Sequence, residues 1–409
     1  VGGSESYLRD LVALLRVAHH EVAALTFRRH DEPPLAPRDG EFELPALLRG
    51  GDATFMREVE ACLDDFEPAL VHLHSMGSEE ALVADAARIR GIPRVFTYHL
   101  PAASCARGDL LQWGERVCDG RVETLRCAAC RIQKVTGAPP AVAEAVGAVI
   151  ARVSPLLGRT LPPAARHKLD YSYSTGLHRD QLLRFLGSCD AIVACAPWVV
   201  DVLARNGVEA NRVVLMPQGV PLALEAIGAR AARTRETVNV GYIGRISEAK
   251  GVDLLFRAMR RAKDPRLRLM VAGDEDGSQR GEETGRALAA GEARISFLGL
   301  IEHDQLGTFY ADLDYLAVPS RGLETGPLVV WEALAQGVPV LASTRIGHPD
   351  LVAEGHGLIV EPHSVERWAE VLDAAASQRL DLATTGRRLR SMRDVGAETA
   401  ALYARLLGS

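Results

Sequence analysis

Leu8, Leu11, Val12 and Leu15 recur at helical spacing, so residues 5–17 read as an amphipathic helix with one buried stripe. Ahead of it, Val1-Gly2-Gly3-Ser4 reads as a glycine turn, with Ser4 a candidate N-cap. Such a turn follows the central strand of a Rossmann unit, so the native chain is expected to carry residues before Val1. Short apolar runs then alternate with helical segments. Residues 69–74, 94–99, 190–195 and 212–216 read as buried parallel strands. The Ala- and Arg-rich stretch 222–236 reads as a linker. A second series follows, with strand-like runs at 238–243, 267–272, 295–298, 315–318 and 338–342. Leu254, Leu255, Ala258 and Met259 mark one intervening helix, and Val365, Trp368, Val371 and Leu372 another. Thr399, Leu402, Tyr403 and Leu406 mark a final helix. This βαβ rhythm predicts an α/β chain with a parallel sheet in each half. The expected divisions are residues 1–220, residues 221–390, and a helix at 391–409 that packs back on the first domain.

The chain has 409 residues, room for two or three domains. A net charge of -6 argues against a nucleic-acid binder, though a local basic patch for phosphates is compatible with it. The most apolar stretch, 141–157, is interrupted by Glu144, Arg152 and Pro155 and falls short of a membrane span. A cytoplasmic location is expected, with peripheral contact at the inner membrane face through the apolar, arginine-bearing stretch 138–166 as one reading of that stretch and packed helices as the commoner one.

Two segments carry chemistry. In the first, Gly241 to Gly251, a strand ends at Ile243, Gly244 and Arg245 follow, and Lys250 stands at a helix start. Two cations beside a helix N-terminus suit a diphosphate: the guanidinium grips oxygens in pairs, the ammonium acts as a point charge, and the macrodipole adds attraction. Two solvated surface cations are the bland alternative. In the second, Val318 to Val340, Glu324 lies in a loop after a strand, Gly326 permits close backbone approach, and Pro327 suits the first helical position. Glu332 sits among Val329, Val330, Trp331, Ala333 and Leu334, where a carboxylate costs free energy unless it is paired.

These segments make the chain resemble the retaining glycosyltransferases of family 4, which have the GT-B architecture of two Rossmann-like domains facing a central cleft. Glu324 and Glu332 match the family's glutamate pair, Arg245 and Lys250 its phosphate-gripping cations, and Gly2 and Gly3 its N-terminal glycine pair. Residues 346–350 and 356–358 match as well. The resemblance implies a hexosyltransferase that moves a sugar from a UDP-, GDP- or dTDP-linked donor to a glycan, lipid-linked or small-metabolite hydroxyl. No metal or other cofactor is implied at the reaction centre. Arg245 and Lys250 would hold the diphosphate, Glu332 the nucleotide ribose and Glu324 the sugar hydroxyls. Thr325, Gly326, Pro327 and Leu328, with Gly244, would line the donor site. His99 matches a family histidine near the reacting centre; a neutral histidine bonded to backbone is the alternative. His72 and His74 read as structural.

The chain departs from the family in four places. Thr325 replaces an aromatic, Pro327 removes an amide donor, Gln218 stands where Asn is common, and 274–276 is unusually acidic. Asp312 and Asp314 flank Leu313 but precede a buried strand, so they are not read as a metal motif.

Cys105, Cys118, Cys127 and Cys130 fall within an insertion at about 104–131. Their spacing fits a tetrahedral structural Zn²⁺, while free thiols, two disulfides or an iron–sulfur cluster would use the same residues. Cys62, Cys189 and Cys195 read as core. An epimerase or phosphorylase of the same architecture, a binding protein with a decayed site and a nicotinamide dehydrogenase are the competing readings. The dehydrogenase lacks a strand-linked Gly-x-Gly-x-x-Gly.

Overall fold

The computed structural model describes residues 3–28, 41–45, 52–160, 169–224, 236–273, 287–302, 305–377 and 388–408, with Pro162, Leu380 and Leu382. Gly2 and residues 274–276 lie outside this set. The chain forms two compact units, one of residues 2–217 with 396–409 and one of residues 218–395.

The first unit opens with α1 (Gly3–Val17), which buries Tyr7, Leu11 and Leu15. Ser4 is inside this helix rather than capping it, because the helix already begins at Gly3. Then come β1 (Ala24–Arg28), β2 (Glu41–Pro45), α2 (Asp52–Phe66), β3 (Val71–Leu73), α3 (Ser78–Ile89) and β4 (Arg94–Tyr98). An insertion follows: the hairpin β5 (Leu111–Gln112) and β6 (Arg116–Val117), then helices α4 (Thr124–Thr136), α5 (Pro140–Thr160) and α6 (Tyr171–Ser188). The unit continues with β7 (Ala191–Ala194), α7 (Pro197–Arg205) and β8 (Val213–Leu215). Strands β3, β4, β7 and β8 form a parallel sheet in that order, and β1 pairs in parallel with β2. β4 and β7 are buried along their whole length, as continuous apolar runs with helices on both faces should be.

The second unit contains β9 (Val238–Ile243), α8 (Val252–Arg261), β10 (Leu267–Ala272), β11 (Ile295–Gly299), α9 (Leu306–Ala311) and β12 (Tyr315–Val318). After these come α10 (Leu328–Ala335), β13 (Val340–Ser343), α11 (Pro349–Ala353), β14 (Gly357–Val360) and α12 (Val365–Ala376). Helix α13 (Met392–Leu407) closes the chain. Six parallel strands lie in the order β11-β10-β9-β12-β13-β14, so connections run outwards from β9 to one side and then from β12 to the other. That reversal is the switch point of a doubly wound sheet, where ligands bind beyond the carboxyl ends of the strands. The expected run 338–342 becomes a strand only at Val340. Val338 is held in the turn after α10, donating to the Ala333 carbonyl at 2.8 Å, and Pro339 follows. Among the described residues, no helix is long and apolar enough to cross a membrane.

Candidate functional site

The loops leaving β9 and β12 build the site. After β9 come Gly244 and Arg245, then a single 3-10 turn, Glu248–Lys250, and Gly251 as N-cap of α8. Gly251 has φ +71°, and a Cβ there would collide with the Pro319 carbonyl at the end of β12, so only glycine lets the two loops touch. That approach sets Lys250 against the β12 loop. Its Nζ donates to both oxygens of Glu324, at 2.7 and 2.9 Å, and the Ser320 hydroxyl donates to Oε1 at 2.8 Å. The loop is pinned from behind. Glu324 N donates to the Arg345 carbonyl at 2.9 Å, and Ser343 Oγ to the Ser320 carbonyl at 2.7 Å.

Burial alone would raise the Glu324 carboxyl, but the Lys250 charge, its hydrogen bonds, Ser320 and the Arg245 charge together hold it below the ordinary value. Glu324 is therefore an anion framed by two cations. Arg245 is exposed, and its carbonyl accepts from Tyr242 Oη at 2.5 Å, which fixes the backbone that carries it. Thr325 is buried and Gly326 has φ +147°. Pro327 is the N-cap with ψ 117°, so α10 starts one residue later than expected, at Leu328.

Glu332 stands apart from this cluster. It is buried on α10 and its Oε2 accepts from Tyr310 Oη at 2.6 Å. Burial raises its carboxyl above the ordinary value, and the tyrosine bond only partly offsets this. Asp312 and Asp314 lie at the opposite, amino edge of the sheet. Asp314 accepts from Asn239 N at 2.8 Å where β9 begins, and the Asp312 carbonyl accepts from Asn239 Nδ2 at 3.0 Å.

His99 and Gly3 belong to the first unit. His99 follows β4, buried, with its Nε2 at 3.0 Å from His74 Nδ1. The His74 ring stacks on His99 at 5.3 Å between centroids and lies tilted against His72 at 4.1 Å, and His72 reaches Thr97 Oγ1 at 2.7 Å and Tyr403 Oη at 2.5 Å. Burial brings His99 down to about 4. Burial and the His99 charge bring His72 down to about 3. His74 is lowered too, by burial first and then by both neighbours. His99 is thus a neutral imidazole whose Nε2 faces the His74 ring.

All seven cysteines are free thiols. The loop ahead of the hairpin docks on α4 through Arg107, whose Nη1 donates to the Cys130 carbonyl at 3.4 Å and to Gln133 Oε1 at 2.6 Å. Cys118, Cys127 and Cys130 are each raised, chiefly by burial and in part by Cys105 nearby. Among the described residues, however, no three His, Cys, Asp or Glu side chains gather about one point as metal ligands, so as they stand the thiols do not fit an ion.

Tyr310, Ser320 and Tyr242 were missed in the sequence. Each reads there as an ordinary core or loop residue, and only its contact reveals it.

A doubly wound parallel sheet with cations and a buried carboxylate at its switch point has the Rossmann-like class of fold. Comparison with family models then narrows the class. Residues 1–130 match the model "Glycosyltransferase Family 4" and residues 230–391 match "Glycosyl transferases group 1". The chain belongs to the family 4 glycosyltransferases, and its fold is GT-B. It is 36% identical over 185 residues to the D-inositol 3-phosphate glycosyltransferases of Mycobacterium tuberculosis and Mycobacterium bovis. That match spans 42% of this chain and only 38% of the mycobacterial proteins. In fold it is similar to sucrose-phosphate synthase from Thermosynechococcus elongatus (TM-score 0.63, 19% identity, 100% of this chain and 94% of that one). It is also similar to Anabaena HepE in complex with UDP-glucose (TM-score 0.61, 17% identity, 98% and 96%).

Proposed function

We propose that this chain is a retaining glycosyltransferase that moves a hexose-type sugar from a nucleotide-diphosphate sugar to a hydroxyl acceptor, without a metal at the reaction centre. The observation that carries this reading is the Lys250–Glu324 pair at the switch point, with the Arg245 charge beside it. Lys250 and Arg245, with the start of α8, neutralise the departing diphosphate, the work a metal does in other transferases. Glu324 accepts from hydroxyls of the transferred sugar, and Glu332 from the nucleotide ribose. The bond from the anomeric carbon to the phosphate oxygen breaks and the bond to the acceptor oxygen forms on the same face. The leaving phosphate oxygen takes the acceptor proton. HepE binds UDP-glucose and the mycobacterial relatives are named for transfer to an inositol phosphate, which makes a UDP-hexose the first donor to try.

The acceptor is a glycan, a lipid-linked sugar or a small metabolite. Peripheral contact with a membrane surface is supported by α5, which leaves Val142, Val149 and Leu156 exposed along one side. A structural zinc on Cys105, Cys118, Cys127 and Cys130 is proposed as well, supported by their shared neighbourhood in one insertion; it requires the thiols to close in. Metal analysis of the purified protein tests it, and less than half an equivalent of zinc rejects it. The function itself is tested with UDP-, GDP- and dTDP-sugars. One nucleotide class should stabilise the protein thermally and its sugar should be hydrolysed or transferred. No response to any of them would overturn the reading.

A further inference from the structure

Glu332 and Tyr310 form a buried pair that the paired-glutamate motif does not contain. Tyr310 lies on α9 and is fully buried, edge-on to Phe309 at 5.5 Å between centroids. Its hydroxyl donates to Glu332 Oε2 at 2.6 Å. The carboxylate rises from α10 between Trp331 and Ala333, both buried in the same core. No donor among the described residues reaches Glu332 Oε1, and that oxygen is not enclosed. One oxygen is therefore tied inwards and the other is left for a ligand. A carboxylate free to turn in such a site would lose this orientation, and its desolvation would go uncompensated.

We propose that Tyr310 is the positioning residue for nucleoside recognition, holding Glu332 so that its free oxygen meets the vicinal hydroxyls of the donor ribose. This rests on the reading of Glu332 as the ribose ligand. The tyrosine touches no ligand itself; it acts through the carboxylate. The pairing makes the chain selective for a ribonucleotide over a deoxynucleotide carrier, because the presented acceptor is useful only to a sugar with hydroxyls to donate.

The test is the affinity of wild type and of Tyr310→Phe for UDP and for 2′,3′-dideoxy-UDP, by calorimetry. Wild type should prefer UDP. Tyr310→Phe should weaken UDP by about tenfold, the worth of one hydrogen bond to a charged group, and leave the dideoxy compound within about twofold. With UDP-sugar, KM should rise more than kcat falls. In a Glu332→Gln background, Tyr310→Phe should cost little more, since the group it orients has lost its charge. Equal loss for both nucleotides would mean a merely structural tyrosine and would overturn the proposal. So would an unchanged UDP affinity. Wild type that binds UDP and the dideoxy compound alike would instead remove Glu332 from the ribose. Wild type that binds no nucleoside diphosphate would remove the proposed function itself.

Discussion

Replacing Glu324 by Gln probes the site at its most constrained point. The carboxylate accepts hydrogen bonds from Lys250 on both oxygens and from Ser320 on one, and its side chain is 17% exposed against 29% for Lys250. Glutamine keeps one acceptor oxygen but turns an NH2 towards an ammonium. Bonds to charged groups contribute about 1.5–3 kcal/mol each, and partial exposure screens them, so a net loss of about 1–3 kcal/mol is expected at pH 7. For a unit of this size that lowers the unfolding midpoint by roughly 3–9 °C. The pH dependence carries a sign. The Glu324 carboxyl is depressed below its ordinary 4.5, so its contribution is complete above that value and disappears as pH falls through the depressed one. Wild type and Glu324→Gln should thus differ at pH 7 and converge at lower pH, as read by thermal or urea unfolding of both proteins across that range. A gap that stays constant, or widens in acid, would refute the ion-pair account.

Other consequences are open to direct measurement. Gly251→Ala puts a Cβ into the Pro319 carbonyl at φ +71°, so it should destabilise by about 2 kcal/mol or more and weaken nucleotide binding with it, by thermal shift and calorimetry. An unshifted midpoint would show that the loops do not meet there. His72 and His99, brought down to about 3 and 4 by burial, should show no imidazole titration by NMR between pH 5 and 8; a midpoint above 6 in either would contradict their burial as neutral rings. Because the unfolded chain takes up those protons near 6.5, the first unit should lose stability as pH falls from there towards 4.

What was readable in the sequence, and what was not, divides along one physical line. The strands 238–243, 267–272 and 315–318 are legible to the residue because each is dominated by apolar positions between helical segments, with Asn239 and Arg268 the polar exceptions. Two further strands, Ala24–Arg28 and Glu41–Pro45, escape because they are short and single polar residues, Thr26 and Glu43, separate their apolar positions. The site follows the same logic. Arg245, Lys250, Glu324 and Glu332 were legible as charges at strand ends or amid apolar neighbours, where their presence needs a reason. Their pairing was not legible, since it depends on which strands are neighbours. Lys250 and Glu324 are 74 positions apart and meet only because β12 lies beside β9 and Gly251 lets the loops touch. Tyr310 was invisible for the converse reason: an aromatic in a helix that packs on a core is what any such helix would carry. Its hydroxyl gains meaning only once Glu332, 22 positions on, is found against it. Motif spacing thus locates the charged groups, and topology decides what holds each of them: Glu324 is fixed by Lys250 and Ser320 across the two loops, while Glu332 is tied to Tyr310 through one oxygen and keeps the other unspent.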